Sequence, residues 1–372
     1  MKISIITFHN TSNFGATLQC TALSRYLESI GNEVFVIDYL PQYILNKKSV
    51  LKEFKKIGSS RNKLKAFAKG FAYLSHYSEL RRRDMAFETF IHKNLRLTST
   101  YHTFKELYDN PPEADFFICG SDQIWNPALT GNSLDDAFFL AFTNKEKASY
   151  GASVGELNIE QYGNELKAKV RDFKGVSVRE SSVAEKFTEI LDQDVKTVLD
   201  CTLLLKGQDY STLEKEVALG DKPYLLFYDM QRSKASEKVA RQIAKQHGLS
   251  IIDISPSPFI SLKGSEKRID IGPGEFLYLV KNSSYIVTNS FHGTVFSILY
   301  HKTFLAFLHS TRSERVVDLL NELDLNDRIV DSTVIVPQKE IDYLSVDEKL
   351  DYKRQQSYGY LRRILEAPSN SQ

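Results

Sequence analysis

The sequence predicts an α/β protein made of two doubly wound domains, each with a parallel sheet covered by helices. Its 372 residues exceed what one hydrophobic core usually organises, since domains average about 150 residues. Short apolar runs bounded by turn residues alternate with segments of helical periodicity, which is typical of such a sheet. A polar, charged stretch at residues 206–222 interrupts the alternation and predicts the domain boundary.

The first elements form a complete β-α-β unit. An apolar run at residues 3–8 predicts a strand, and Asn13 to Gly15 supplies a turn. Residues 16–30 carry their apolar side chains on one face, so they predict a helix, which Gly31 ends. Residues 34–39 predict the next strand, and this order of elements builds a parallel sheet.

The same alternation continues through both domains. We predict Rossmann-like domains over residues 1–205 and 206–345, followed by a C-terminal helix and tail over 346–372. Ligands of open α/β sheets bind beyond the carboxyl ends of the strands, so we expect the domains to face each other across a cleft. Further strands are predicted at 114–119, 148–153, 175–178, 195–199, 224–228, 250–254, 285–288 and 304–308, and helices at 236–247 and 274–282.

Residues 42–110 break the alternation and predict a helical insertion. The segment is rich in Lys, Leu, Phe and Tyr, with a basic cluster from Lys52 to Lys69 and another at Arg81 to Arg83. Two interpretations of this basic segment stay open. It is either a solvated basic face or a surface that docks on an anionic membrane or acceptor.

Composition excludes several classes of protein. The 48 Lys and Arg residues balance 47 Asp and Glu residues, so no overall field favours nucleic acid. Cys20, Cys119 and Cys201 lie far apart without a CxxC motif, which argues against a disulfide framework or a metal site. The start of the chain predicts a strand rather than a signal peptide, and no run of about 18 apolar residues exists. We therefore expect a cytoplasmic protein, or one peripheral at the inner face of the membrane.

The turn from Ser290 to Thr294 is the strongest candidate site. It follows the predicted strand at 285–288 and begins a helix, where unpaired backbone N–H groups and the helix dipole favour anions. A histidine there, His292, suits proton transfer to a charged substrate. The alternative is that Ser290 caps the helix and His292 hydrogen-bonds a neighbouring carbonyl.

Other polar motifs follow the predicted strands of the first domain. Asn13 and Gly15 form either a substrate-binding loop or an Asx turn. Ser121 and Asp122 lie beside Trp125, the single tryptophan, which stacks on a sugar or anchors the loop to the core. Arg179 can grip a phosphate or a carboxylate through two hydrogen bonds, or pair with Glu180.

Taken in order, these motifs resemble the polysaccharide pyruvyl transferase family over roughly residues 3–325. The resemblance implies a two-domain fold like the GT-B glycosyltransferases, with an N-terminal acceptor domain and a C-terminal donor domain. The six motifs that carry it are residues 13–19, 120–126, 149–153, 176–180, 198–200 and 290–294, read as NFGATLQ, GSDQIWN, SYGAS, VSVRE, VLD and SFHGT.

The resemblance also implies a reaction. Phosphoenolpyruvate is the co-substrate, no other cofactor is needed, and the acceptor is a sugar on a lipid-linked or polymeric bacterial glycan in exopolysaccharide or capsule assembly. The product is a pyruvate ketal on two hydroxyls. His292 matches the family's proposed acid/base and Arg179 the donor-gripping arginine, while Glu180 or Asp122 could stabilise positive charge developing at C2. The remaining predicted binding residues are Asn13, Gly15, Ser121, Ser290, Gly293, Thr294 and Arg315.

Two departures from the family pattern leave alternatives open. Some members carry Arg-Leu-His where this chain has Ser290-Phe291-His292, so a donor-binding cation is missing that Arg315 or Lys302 could replace. Asp200 is followed by Cys201 where a proline is common, which we interpret as a change of turn. One alternative is a GT-B glycosyltransferase that uses a nucleotide sugar, with Glu275 as its ribose-binding acid. Another is a glycan-assembly protein that has lost catalysis.

Overall fold

A computed structural model describes residues 1–48, 74–155, 157, 159–255, 260–308, 314–330 and 339–366. The chain divides into two compact units. The first comprises Met1–Lys48, Ile91–Leu205 and the chain from Asp351. The second comprises Lys206–Leu350 together with residues 74–90 of the described chain. The basic cluster from Lys52 to Lys69 and the predicted tail lie outside the described residues.

The first unit is built on a five-stranded parallel sheet in the order β3-β2-β1-β4-β5. The central strand β1 pairs with β2 through Ile3 and Val34 and with β4 through Ile3 and Phe116. A two-stranded sheet, β6-β7, continues from β5 through single bridges, Ala148 to Gly175 and Ala152 to Val178. The strands are β1 (Lys2–Ile6), β2 (Glu33–Tyr39), β3 (Leu97–Tyr101), β4 (Phe116–Cys119), β5 (Glu146–Ser149), β6 (Ser177–Val178) and β7 (Lys196–Thr197).

Helix α1 (Phe14–Ser29) illustrates how the sequence sets local structure. Asn13 has an extended backbone and its side-chain oxygen accepts hydrogen bonds from the N–H groups of Gly15 and Ala16, so the helix begins there. Most of the helix is buried against the sheet, including its polar residue Gln19. The other α-helices of the described residues up to 200 are α2 (Gln42–Lys48), α3 (Tyr77–Asn94), α4 (Phe104–Asp109), α5 (Ile159–Val170) and α6 (Ser181–Leu191).

The second unit contains a six-stranded parallel sheet in the order β10-β9-β8-β11-β12-β13. The N-terminal part of α3 belongs to this unit, since Arg82 pairs with Asp270 and Ala86 packs against Gly272. The strands are β8 (Tyr224–Tyr228), β9 (Ser250–Ile254), β10 (Glu266–Arg268), β11 (Tyr285–Thr288), β12 (Phe304–Phe307) and β13 (Ile329–Val330). The helices are α7 (Lys234–His247), α8 (Pro273–Asn282), α9 (Phe291–Leu299), α10 (Glu314–Glu322) and α11 (Tyr343–Leu365), the last entering the first unit at Asp351.

The predicted fold class is confirmed: both units are Rossmann-like α/β structures with parallel sheets. The prediction of a wholly helical insertion over 42–110 is wrong at residues 97–101, which form β3 at the sheet edge. Its sequence, Leu-Thr-Ser-Thr-Tyr, buries little, because an edge strand pairs on one side only. None of the described helices is long and apolar enough to cross a membrane.

Gly120 directly follows β4, and its close contacts show how tightly the chain is packed at the carboxyl end of this strand. A Cβ there would overlap the carbonyl oxygen of Tyr150, and the φ of +121° is unfavourable for residues with a side chain. We expect Gly120→Ala to destabilise the protein by about 2 kcal/mol or more, measured from the urea denaturation midpoint. Gly220→Ala is the matched control, because nothing lies within 4 Å of its Cβ. Equal midpoints for the two variants would contradict the packing described here.

Candidate active site

A buried ion pair lies where β6 and β7 end. Nη1 of Arg179 is 2.6 Å from Oδ2 of Asp200, and the two side chains are 3% and 1% exposed. Oδ1 of Asp200 accepts hydrogen bonds from the N–H and hydroxyl groups of Thr202, at 3.0 and 2.6 Å. Burial disfavours the charged guanidinium, but the carboxylates of Asp200, Glu180 and Asp122 outweigh it and raise the pKa of Arg179. Arg179 is therefore a permanent cation fixed in place.

The opposite edge of the same guanidinium has donors that make no hydrogen bond with the described residues. Nε and Nη2 of Arg179 are buried, and neither has a hydrogen-bond partner among the residues that the structure describes. These two nitrogens form the fork that binds a carboxylate or a phosphate with two parallel hydrogen bonds. A buried donor without a partner is costly, so this edge fits an anionic ligand.

The loop after β4 brings Ser121 and Asp122 to the same sheet edge. The N–H of Ser121 donates to Oε1 of Gln19, and its hydroxyl donates to the carbonyl of Gly151 at 3.2 Å. Asp122 has a left-handed backbone, with φ of 71°, and its Oδ1 is 3.8 Å from Nη2 of Arg179. Ser121 thus holds the loop in position, and Asp122 stands beside the open fork.

Glu180 follows Arg179 directly but has a different partner. Its Oε1 accepts a hydrogen bond from the hydroxyl of Ser153 at 2.7 Å. The alternative of a simple Arg179–Glu180 pair is thus not what the structure contains, since Asp200 makes the close contact with the guanidinium. The first-unit cluster, defined as Asp122, Ser153, Arg179, Glu180 and Asp200, has three carboxylates around one cation.

The second unit carries the histidine turn between β11 and α9. Ser290 caps α9, as its hydroxyl accepts from the N–H of Gly293 at 3.3 Å, and the first turn of this helix contains no acidic residue. Nε2 of His292 is buried, and its ring packs edge-on against Phe291, with centroids 5.1 Å apart. Burial raises the pKa of Tyr228, which contacts Ser290, to about 12, so this phenol stays neutral near pH 7.

Gly293 and Thr294 shape this turn from inside. A Cβ at Gly293 would overlap the hydroxyl of Thr288, so only glycine lets α9 begin so close to β11. Thr294 is buried and its hydroxyl donates to the carbonyl of Ser290 at 3.2 Å. The guanidinium of Arg315 lies over the ring of Phe291, 5.0 Å from its centroid, which places a cation beside His292's neighbour.

Several predicted site residues have structural duties. Asn13 and Gly15 make the cap of α1, which is the Asx interpretation. Trp125 is fully buried, donates its indole N–H to the carbonyl of Phe138 and stacks on Phe139, so it anchors the loop and is not a sugar platform. Glu275, the residue considered as a ribose-binding acid, accepts a hydrogen bond from the N–H of Gly272 and pairs with Lys215 at 2.7 Å, so both of its oxygens have structural partners.

Sequence reasoning gave neither Ser153 nor Asp200 a role. Ser153 follows β5 and Asp200 follows β7, and a polar residue after a strand was the available signal. A second buried pair was also missed: Nε2 of His9 lies 2.9 Å from Oδ1 of Asp38 at the ends of β1 and β2. Among the described residues, no cluster of His, Cys, Asp and Glu side chains could hold a metal ion.

The family model described as polysaccharide pyruvyl transferase matches residues 13–311 of the chain. The chain belongs to this family. The matched region contains both Arg179 and His292, and the family's activity is pyruvyl transfer to polysaccharide. No curated protein matches the chain in sequence.

Solved structures of other proteins resemble this family member in fold. Staphylococcus aureus MnaA, in a structure with UDP, is 13% identical, with 100% of each chain covered and a TM-score of 0.50. The UDP-GlcNAc 2-epimerase of Methanocaldococcus jannaschii is 12% identical, covering 94% of this chain and 92% of its own, also with a TM-score of 0.50. At this identity the likeness shows the fold alone, which is of the GT-B class.

The Arg179–Asp200 pair predicts a large effect on stability. Arg179→Met leaves the Asp200 carboxylate buried without its cation, so we expect a loss of about 3–5 kcal/mol in the free energy of unfolding. The double variant Arg179→Met/Asp200→Asn removes the stranded charge and should recover much of the loss. Urea denaturation of wild type, the single variants Arg179→Met and Asp200→Asn, and the double variant forms a double-mutant cycle. A single variant as stable as wild type would show that the pair is unimportant.

Proposed function

We propose that the protein transfers the three-carbon group of phosphoenolpyruvate to two hydroxyls of a bacterial glycan sugar, forming a pyruvate ketal. The observation that carries this proposal is the Nε–Nη2 edge of Arg179, which is buried, makes no hydrogen bond with the described residues, is fixed by Asp200 and has the geometry that binds a carboxylate. Phosphoenolpyruvate has a carboxylate next to the carbon that reacts. Gripping that carboxylate would orient C2 for attack.

The chemistry needs a group that moves protons. The methylene carbon of the donor takes up a proton, one acceptor hydroxyl bonds to C2, phosphate leaves, and the second hydroxyl closes the ketal. Two hydroxyl protons are released, of which one balances the proton gained at the methylene carbon and the other leaves with phosphate. In this proposal His292 is the acid/base, and its helix N-terminus favours the anionic donor.

The acceptor in this proposal is a lipid-linked or polymeric glycan, and the setting is exopolysaccharide or capsule assembly in the cytoplasm. Peripheral contact with an anionic membrane stays a prediction, since the cluster from Lys52 to Lys69 lies outside the described residues. The role of Arg315 as the replacement for the family's missing arginine also stays a prediction. Its guanidinium lies 5.0 Å from the ring centroid of Phe291, next to His292, which supports this role.

Donor binding can be tested with Arg179→Lys. Lysine keeps a cation for Asp200 but lacks the two-nitrogen edge, so the fold should survive while the carboxylate loses its fork. Wild type at a hundred times its Kd for phosphoenolpyruvate should be stabilised by ~2.7 kcal/mol, seen as a rise in Tm. Arg179→Lys should lose most of this rise.

Controls for the melt separate the alternatives. Arg171→Lys, an exposed arginine paired with Asp172 in the same unit, should behave like wild type. Inorganic phosphate and UDP-sugars replace phosphoenolpyruvate in parallel samples. A rise in Tm with a UDP-sugar only would favour the glycosyltransferase alternative, and no rise with any ligand would favour a protein without catalysis.

His292→Gln tests the acid/base role. The amide cannot exchange protons as imidazole does, so we expect turnover to fall by about 10²-fold or more with an unchanged urea midpoint. Turnover is followed as phosphate released from phosphoenolpyruvate with methyl hexopyranosides that carry free hydroxyl pairs. His301→Gln, an exposed histidine of the same unit that pairs with Asp347, is the control. Equal turnover in the two variants would remove His292 from the mechanism.

A further inference from the structure

Glu180 occupies the N-cap position of α6 without capping it. Its backbone is extended, at φ −92° and ψ 124°, yet its side chain accepts no hydrogen bond from the first turn of the helix. Ser, Thr, Asp and Asn are the usual caps, because their short side chains reach those N–H groups. The carboxylate of Glu180 is instead directed to Ser153.

One oxygen of the Glu180 carboxylate accepts a hydrogen bond, and the other accepts none from the described residues. Oε1 accepts from the hydroxyl of Ser153, which is itself fixed by the N–H of Gly155 at 3.2 Å. Oε2 is buried and accepts no hydrogen bond from any described residue. An oriented carboxylate with a buried, unused oxygen is ready to accept a hydrogen bond from a hydroxyl that enters the site.

The neighbouring Arg179 forms its close ion pair with Asp200 and not with the carboxylate of Glu180. Arg179 gives Nη1 to Asp200 and keeps its open edge, so the adjacent residues Arg179 and Glu180 each present an unused buried group. One is a two-nitrogen donor and the other is an acceptor. Together they match a carboxylate next to a hydroxyl, which is the pair of groups that meet when an acceptor adds at C2.

We propose that Oε2 of Glu180 accepts the proton of the acceptor hydroxyl as its oxygen forms the bond to C2 of the donor. This inference rests on the proposed function and adds the base that deprotonates the acceptor. The acceptor O–H bond breaks and its proton goes to the carboxylate as the C2–O bond forms, while the electron pair of the donor's C2–methylene double bond takes up a proton at the methylene carbon. Glu180 then gives its proton to the departing phosphate, so the carboxylate is regenerated in each cycle. Ser153 is a positioning residue, because it fixes the carboxylate through Oε1.

Glu180→Gln removes the base while preserving the shape of the side chain. We expect kcat to fall by about 10²-fold or more. Loss of a negative charge beside the donor carboxylate should also tighten phosphoenolpyruvate binding by at least about threefold, measured by calorimetry. Glu185→Gln, on an exposed position of the same helix, should leave both quantities unchanged. Phosphate release with the hexopyranoside panel gives kcat, and the urea midpoint monitors folding.

Ser153 provides a second variant with a different signature. Ser153→Ala should lower kcat several-fold without changing phosphoenolpyruvate affinity, and Ser153→Thr, which restores a hydroxyl, should recover activity. A merely structural serine would instead lower the urea midpoint and affect kcat and affinity together.

The outcomes separate this inference from the proposed function. A wild-type kcat in Glu180→Gln overturns the inference but not the proposed function. If no hexopyranoside reacts, a phosphoenolpyruvate affinity of Glu180→Gln equal to that of wild type overturns the inference in the same way. Tighter binding with lost turnover supports it. Wild type that neither binds phosphoenolpyruvate nor releases phosphate overturns the proposed function, and the inference falls with it.

Discussion

The ion pair between Arg179 and Asp200 organises the candidate site of the first unit. It joins the ends of β6 and β7, two strands of two residues each that have little backbone pairing of their own. Because Asp200 takes one side of the guanidinium, the other side is left in a defined direction. Gly151 packs against the aliphatic part of Arg179, where an added Cβ would lie 3.3 Å from Cγ of the arginine. A buried charge pair here fixes orientation more than it adds stability.

The order of elements was predictable because parallel sheets impose strong patterns. The strands β8, β9 and β11 match their predicted ranges, since each is an apolar run between turn residues. Strands with little burial were not predictable in this way. β10 (Glu266–Arg268) is charged, and β3 is polar, because edge strands need not carry an apolar pattern.

The candidate site was predictable in place but not in detail. The carboxyl ends of the strands identified Arg179 and Glu180 in the first unit and His292 in the second, since the topology of each sheet gathers polar residues at that end. The partners of Arg179 and Glu180 could not be identified from the sequence. Asp200 is 21 positions from Arg179, and Ser153 is 27 positions from Glu180, so only the fold brings each pair together. The sequence also left open whether Arg179 pairs with Glu180 or binds a ligand. The structure turns them to different partners, and that divergence leaves each with an unused polar group.

The uncapped start of α6 places Glu180 in a trade-off between stability and activity. A serine or an aspartate at that position would reach the N–H groups of the first turn and would contribute about 1 kcal/mol to the helix. It would also remove the long carboxylate that Ser153 orients. Selection for thermostability alone would therefore favour replacing Glu180, whereas selection for catalysis would keep it. A stabilised variant that arises at this position should be screened for activity before it is used as a scaffold.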